Sequence, residues 1–141
     1  MSLVFLDTNL FIYLFEDSGK LGERVFQLIQ RMAERNDRLA SSTLTLGEIL
    51  VKPLESGNTS LAMKYEAYFR SAEVHLIPFD ASTSLRYAEI RRDRTIRAPD
   101  AIQLACAASA GCDLFITNDE ALARKTIKGI QFIVTLNRSP I

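Results

Sequence analysis

Histidine and cysteine are scarce in this 141-residue chain, and their scarcity closes off much metal and redox chemistry. The one histidine, His75, sits in an apolar run, Val74-His75-Leu76-Ile77, so a zinc site built from His and Cys is ruled out as a design. Two cysteines, Cys106 and Cys112, are too few for a disulfide framework. Set among Ala, Leu and Gly, they read as buried free thiols. No apolar run approaches the roughly 18 residues of a membrane span, so no membrane association is expected. The start, Met1-Ser2-Leu3-Val4-Phe5, meets a charge at Asp7 with no basic region or cleavable pattern. A secretory signal is therefore not expected, and the expected location is cytoplasmic. A charge surplus is also missing: 17 basic and 17 acidic residues balance, so any contact with nucleic acid needs locally gathered positive charge. Repeats, low-complexity stretches and interdomain linkers are absent as well. The expectation is one domain over residues 1–141, long enough to bury a core.

What is present is a regular alternation of short apolar runs and longer helical patterns. Strands are predicted at Leu3–Leu6, Arg38–Ser42, Val74–Ile77, Leu114–Thr117 and Gln131–Val134. Leu21, Val25, Leu28, Ile29 and Met32 recur at helical spacing, as do Leu61, Tyr65, Tyr68 and Phe69. Pro99 and Gly111 bracket a helix over Asp100–Ala110, since Pro suits a first turn and Gly suits the residue after the last. Strands separated by helices pair in parallel through right-handed crossovers. The predicted fold is therefore α/β, a helix–sheet–helix sandwich around a central parallel sheet. Ligands of such sheets bind beyond the carboxyl ends of the strands.

Four carboxylates fall near those ends, each with an ordinary structural explanation. Asp7 closes the run Leu3-Val4-Phe5-Leu6 and can cap the following helix. Glu48, three after Thr45, can complete a capping box. Asp100 stands in a first helical turn, where the helix dipole favours an anion. Asp119 precedes a short helical pattern, Glu120–Lys125, again as a cap. Their joint placement suggests more: in a parallel sheet these points share one rim. Clustered anions repel unless a cation neutralises them, and Mg²⁺ or Mn²⁺ prefers such oxygen ligands. An ion held this way can activate water for attack on a phosphodiester.

Val4-Phe5-Leu6-Asp7-Thr8-Asn9 resembles the opening motif of PIN-domain nucleases. Thr45-Leu46-Gly47-Glu48-Ile49 is similar to their second motif, Ala98-Pro99-Asp100-Ala101-Ile102-Gln103-Leu104-Ala105 to the third, and Leu114-Phe115-Ile116-Thr117-Asn118-Asp119 to the fourth. The resemblance runs from residue 3 to about residue 136, with the motifs in family order. It implies an endoribonuclease dependent on Mg²⁺ or Mn²⁺, with Asp7, Glu48, Asp100 and Asp119 binding metal directly or through water. Thr8, Asn9, Thr117 and Asn118 would orient carboxylates or metal waters. A short chain without an appended domain also resembles the toxins of VapBC-type pairs. That likeness implies a protein antitoxin covering the active site and a toxin that forms a homodimer. The stretch Lys52–Ser71 carries no family motif and is a candidate for substrate or antitoxin specificity.

Arg86, Arg91, Arg92, Arg94 and Arg97 precede Asp100. They read either as a solvated helix face and loop or as an edge contacting RNA phosphates. Of these, Arg91, Arg92, Arg94 and Arg97 are the substrate-binding candidates. Tyr65, Tyr68 and Phe69 read as core or dimer surface, without an RNA role. Two rival functions stand beside the nuclease. A haloacid-dehalogenase-like phosphatase needs a second Asp two residues after the first, and Asn9 holds that place. A non-catalytic PIN-like binding module would have lost its acids, and all four are present.

Overall fold

Alternation along the strands divides the interior of the computed structural model, which describes residues 1–17 and 19–141, into two cores. The elements run β1 (Leu3–Leu6), α1 (Thr8–Glu16), α2 (Lys20–Glu34), β2 (Arg38–Ser42), α3 (Thr43–Glu55), α4 (Thr59–Phe69) and β3 (Val74–Ile77). They continue α5 (Ala81–Ile90), α6 (Ala98–Ser109), β4 (Leu114–Thr117), α7 (Glu120–Ala123), β5 (Phe132–Thr135) and a closing 3₁₀ turn, Leu136–Arg138. Val4 and Leu6 of β1 point into one core with Leu10 and Phe11 of α1, Val25 and Met32 of α2, and Tyr65 and Phe69 of α4. Phe5, between them, points into the other, with Leu104, Ala105 and Ala107 of α6. There its ring stacks on Phe115 of β4, centroids 5.0 Å apart. Strands buried on both faces favour apolar side chains, which explains the apolar runs Leu3–Leu6 of β1 and Leu114–Ile116 of β4.

The sheet order is β3-β2-β1-β4-β5, and every pairing is parallel. The chain builds outward from β1 through β2 to β3, then returns to lay β4 on the other side of β1. The strand order thus reverses between β1 and β4, and a crevice opens at the carboxyl ends of those strands. Asp7 follows β1 and Asn118-Asp119 follows β4, at the mouth of that crevice.

The helix–sheet–helix sandwich is as the sequence implies, and so are the limits of β1 to β4. The fifth strand lies one residue later than Gln131–Val134. Its register sets Phe132 opposite Leu114, and the Gln131 N–H is spent on the Cys112 carbonyl at 3.2 Å. Gly111 ends α6 at φ +66°, a conformation costly for other residues, and the Cys112 N–H turns back to the Ala107 carbonyl. Cys106 and Cys112 are buried, free thiols. Burial pushes them up to about 11 and about 12, so they stay protonated and unreactive. Tyr65 and Phe69 are buried and Tyr68 packs partly against the same core, as their helical spacing implies.

Candidate active site

Asp7 does two things at once. It is the N-cap of α1, its Oδ1 accepting from the Thr8 N–H at 2.9 Å, while its Oδ2 accepts from the Thr117 hydroxyl at 2.8 Å. Burial, first, raises its pKa; the bonds from Thr117 and Thr8 pull it down, and the charges of Asp100 and Glu48 raise it further. Neighbouring anions thus bear on Asp7.

Asp119 is also a cap, its Oδ1 accepting from the N–H groups of Ala121 at 2.9 Å and Leu122 at 3.2 Å. Its own N–H donates to the Thr117 hydroxyl at 3.1 Å, so Thr117 ties the ends of β1 and β4 together. Asn118 donates to the Tyr13 hydroxyl at 2.9 Å. Asp100 is the third residue of α6, where no side chain caps the helix, and its Oδ2 meets Arg97 Nε at 3.3 Å.

Glu48 corrects an expectation. It completes no capping box, because the N-cap of α3 is Ser42, whose hydroxyl accepts from the Thr45 N–H at 3.2 Å. Glu48 lies a turn further on. Its Oε1 accepts from the Thr8 hydroxyl at 2.9 Å and from the Gln103 amide at 3.2 Å. The capping explanation thus survives for Asp7 and Asp119, and Glu48 is left with bonds that serve the cleft.

All four carboxylates line one cleft of about 340 Å³, together with Thr8, Asn9, Arg97, Gln103, Thr117 and Asn118. Among the described residues, no three Asp, Glu, His or Cys side chains form a ready cage for an ion. Each anion is turned instead onto a protein donor: Thr117 for Asp7, Thr8 for Glu48, Arg97 for Asp100, and amides of α7 for Asp119. Such a splayed, all-oxygen donor set fits Mg²⁺ or Mn²⁺, which keeps several waters and is bound through one or two carboxylates. It does not fit a closed site of the structural zinc kind.

The arginines divide. Arg97 is exposed at the rim of the cleft. Arg91 folds inward, its guanidinium donating to the Ile96 carbonyl at 2.7 Å, and stabilises the loop before α6. Arg92 lines a separate groove with Arg86 and Lys128. Arg94 is exposed but lines neither hollow that Asp100 touches. Positive charge that the sequence reading missed comes from beyond Asp119. Arg124 and Lys125 share a hollow with Arg97, Asp100 and Asp119. Lys125 is partly committed, 2.9 Å from Asp93 Oδ2. The other residues missed are Ser42, Thr45 and Gln103, which are buried and joined beneath Glu48. Thr45 and Gln103 do stand inside the motif stretches around Glu48 and Asp100, and Gln103 is a polar residue in an otherwise apolar run three residues after Asp100.

Residues 4–128 match the model of the PIN domain family. No curated protein matches the sequence. Among solved structures, the fold is similar to VapBC2 from Rickettsia felis bound to a DNA fragment from their promoter. The TM-score is 0.76 at 18% identity, over 94% of this chain and 98% of that one. A toxin–antitoxin complex from Klebsiella pneumoniae is similar with TM-score 0.66 at 21% identity, over 90% and 94% of the two chains. So is VapC20 of Mycobacterium tuberculosis, described as a sarcin–ricin loop cleaving toxin, with TM-score 0.66 at 17% identity, over 87% and 96%. At these identities the likeness to the solved structures is one of fold.

Proposed function

The chain belongs to the PIN domain family, and from that premise we propose that it is an endoribonuclease dependent on Mg²⁺ or Mn²⁺. The observation that carries this reading is the convergence of Asp7, Glu48, Asp100 and Asp119 on one cleft at the point where strand order reverses. Those four side chains would hold the cation, directly or through water. When bound, it supplies a nucleophilic water at neutral pH and neutralises charge on the phosphodiester. Thr117 and Thr8 fix the carboxylate faces of Asp7 and Glu48, so that less order is lost when the ion arrives. Asn9 and Asn118 place neutral amide groups at the cleft wall. Asn9 has no acidic proton to give, which sets the phosphatase alternative aside. Arg97, at the rim, would meet an RNA phosphate once its hold on Asp100 is released.

The test is incubation of purified protein with RNA, in Mn²⁺ and in excess EDTA. Water attack leaves a 5′-phosphate and a 3′-hydroxyl. A 2′,3′-cyclic phosphate, or undiminished cleavage in EDTA, would overturn the mechanism.

The same reading makes the protein the toxin of a pair, working in the cytoplasm as a homodimer, with a protein antitoxin that covers the cleft. Support comes from the solved toxin–antitoxin complexes that share the fold, and among the described residues no helix is long and apolar enough to cross a membrane.

The division among the arginines gives a separate expectation. Arg97→Ala should weaken RNA binding and reduce the slope of log affinity against log salt by about 0.7, the loss of one phosphate contact on a single strand. Arg91→Ala should lower melting temperature and leave that slope unchanged. Filter binding at several salt concentrations checks both, and equal slopes in the parent and Arg97→Ala would remove Arg97 from the RNA contact.

A further inference from the structure

Gln103 is only 2% exposed, although it carries an amide with two donors and an acceptor. Its Oε1 accepts from the Ser42 hydroxyl at 2.5 Å. The Ser42 oxygen already takes the Thr45 N–H, so its proton is free for Gln103. The amide nitrogen lies 2.8 Å from the Thr45 hydroxyl oxygen, 3.2 Å from that of Thr8 and 3.2 Å from Glu48 Oε1. Two N–H groups are therefore shared among three acceptors. A reversed amide would set its oxygen against the Glu48 carboxylate, so the orientation is fixed electrostatically as well as by Ser42.

The remaining protons then have one direction. The Thr8 hydroxyl donates to Glu48 Oε1 at 2.9 Å. The Thr45 hydroxyl, 3.1 Å away, can in turn donate to Thr8. Donors converge on Glu48 from beneath, and each strengthens the next in a low-dielectric setting. Without them, an exposed Glu on a helix has every reason to swing out: water solvates it, rotamer freedom is regained, and Asp7 repels it. Gln103 also sits three residues after Asp100, on the same face of α6.

We propose that Gln103 is a positioning residue that holds Glu48 over the cleft in step with Asp100, so that α6 places two of the four carboxylates. The proposal rests on reading the cleft as a divalent-cation site, and its test separates the two. Mn²⁺ is titrated calorimetrically into the metal-free full chain, for the parent, Gln103→Met, Glu48→Gln and the double variant. Met matches the length of Gln and donates nothing. Gln103→Met is expected to weaken Mn²⁺ binding by about 10-fold or more, the usual cost of losing a group that orients a metal ligand. In the Glu48→Gln background the same change should weaken it no further. Thr45→Val, which keeps shape and deletes the hydroxyl between Gln103 and Thr8, should act in the same direction and decides the matter if Gln103→Met does not fold. Parent-like affinity in Gln103→Met, or in Thr45→Val where that variant decides, would overturn the proposal while leaving the cation site intact. So would an equal loss in both backgrounds, which marks a general structural role. A parent that binds no Mn²⁺ would overturn the cation site itself and the proposal with it.

Discussion

Asp7→Asn should lower single-turnover RNA cleavage at saturating Mn²⁺ by more than about 100-fold, because groups that merely orient metal ligands already cost 10- to 100-fold. The same variant, freed of metal, should be at least as stable as the parent at neutral pH. Both halves follow from one carboxylate. Burial raises the pKa of Asp7 above its ordinary 3.8, against the bonds from Thr117 and Thr8, and the anions Asp100 and Glu48 add to the rise. The folded state therefore binds the Asp7 proton more tightly than the unfolded chain does. Stability falls as pH climbs from the unfolded value through the folded one, and above that window the parent carries the whole penalty. Asn has no such titration and caps a helix nearly as well. The Thr117 hydroxyl, which now donates to Asp7, can accept from the new amide instead. The advantage of the variant should accordingly shrink as pH falls through the folded value and be nearly gone by about 4, where Asp7 is becoming protonated in both states. Denaturant unfolding in EDTA at pH 4 and pH 7, beside quenched cleavage at neutral pH, measures all of this. Parental cleavage would take Asp7 out of the chemistry, and a less stable variant at pH 7 would make it mainly a cap.

Gly22→Ala should destabilise the fold by about 3 kcal/mol or more, at the upper end of what overpacking costs. A Cβ there would lie 1.8 Å from the Asp17 carbonyl oxygen and 2.6 Å from that of Tyr13, both backbone atoms that cannot turn aside. The start of α2 is pressed against the end of α1 at this point, and relief requires moving one helix. That motion would reach the cleft, because α1 begins at Thr8 and carries Asn9 on its wall. Gly47→Ala is the control with opposite sign. Nothing lies within 4 Å of its added methyl, and the position is inside α3. Lower unfolded-state freedom should stabilise that variant by about 0.5–1 kcal/mol. Urea unfolding of the two variants tests the contrast. Similar stabilities would mean that the α1–α2 junction yields easily.

Much of this molecule is legible in its residues, for reasons that differ by element. β1, β3 and β4 are largely apolar runs bounded by charge or turn residues, and β2 is a Leu-Ala pair between Arg38 and two serines, so local sequence marks their ends. β5 is displaced by one residue because its limits depend on register against β4, a tertiary matter that Gln131 alone does not reveal. Asp7 and Asp119 are found by local logic, each standing where a strand hands over to a helix. Glu48 misleads that logic: its spacing from Thr45 imitates a capping box, but Ser42 starts the helix one turn earlier. The arginine run misleads through proximity. Arg91 and Arg97 are close in sequence, yet one closes a loop on Ile96 and the other reaches the cleft. Gln103 was hidden because its partners, Ser42, Thr45 and Thr8, come from β2, α3 and α1. Only the folded sheet brings them together.

A divalent cation shared by these carboxylates should show itself in thermal unfolding. Melts of the parent, Asp7→Asn, Asp100→Asn and Asp119→Asn would be recorded in EDTA and in Mn²⁺. Preferential binding to the folded state should raise the parent Tm in Mn²⁺, and the rise should shrink or vanish in every variant. The same Mn²⁺-induced rise in all four proteins would mean that the carboxylates form no shared cation site, and the nuclease reading would lose its physical basis.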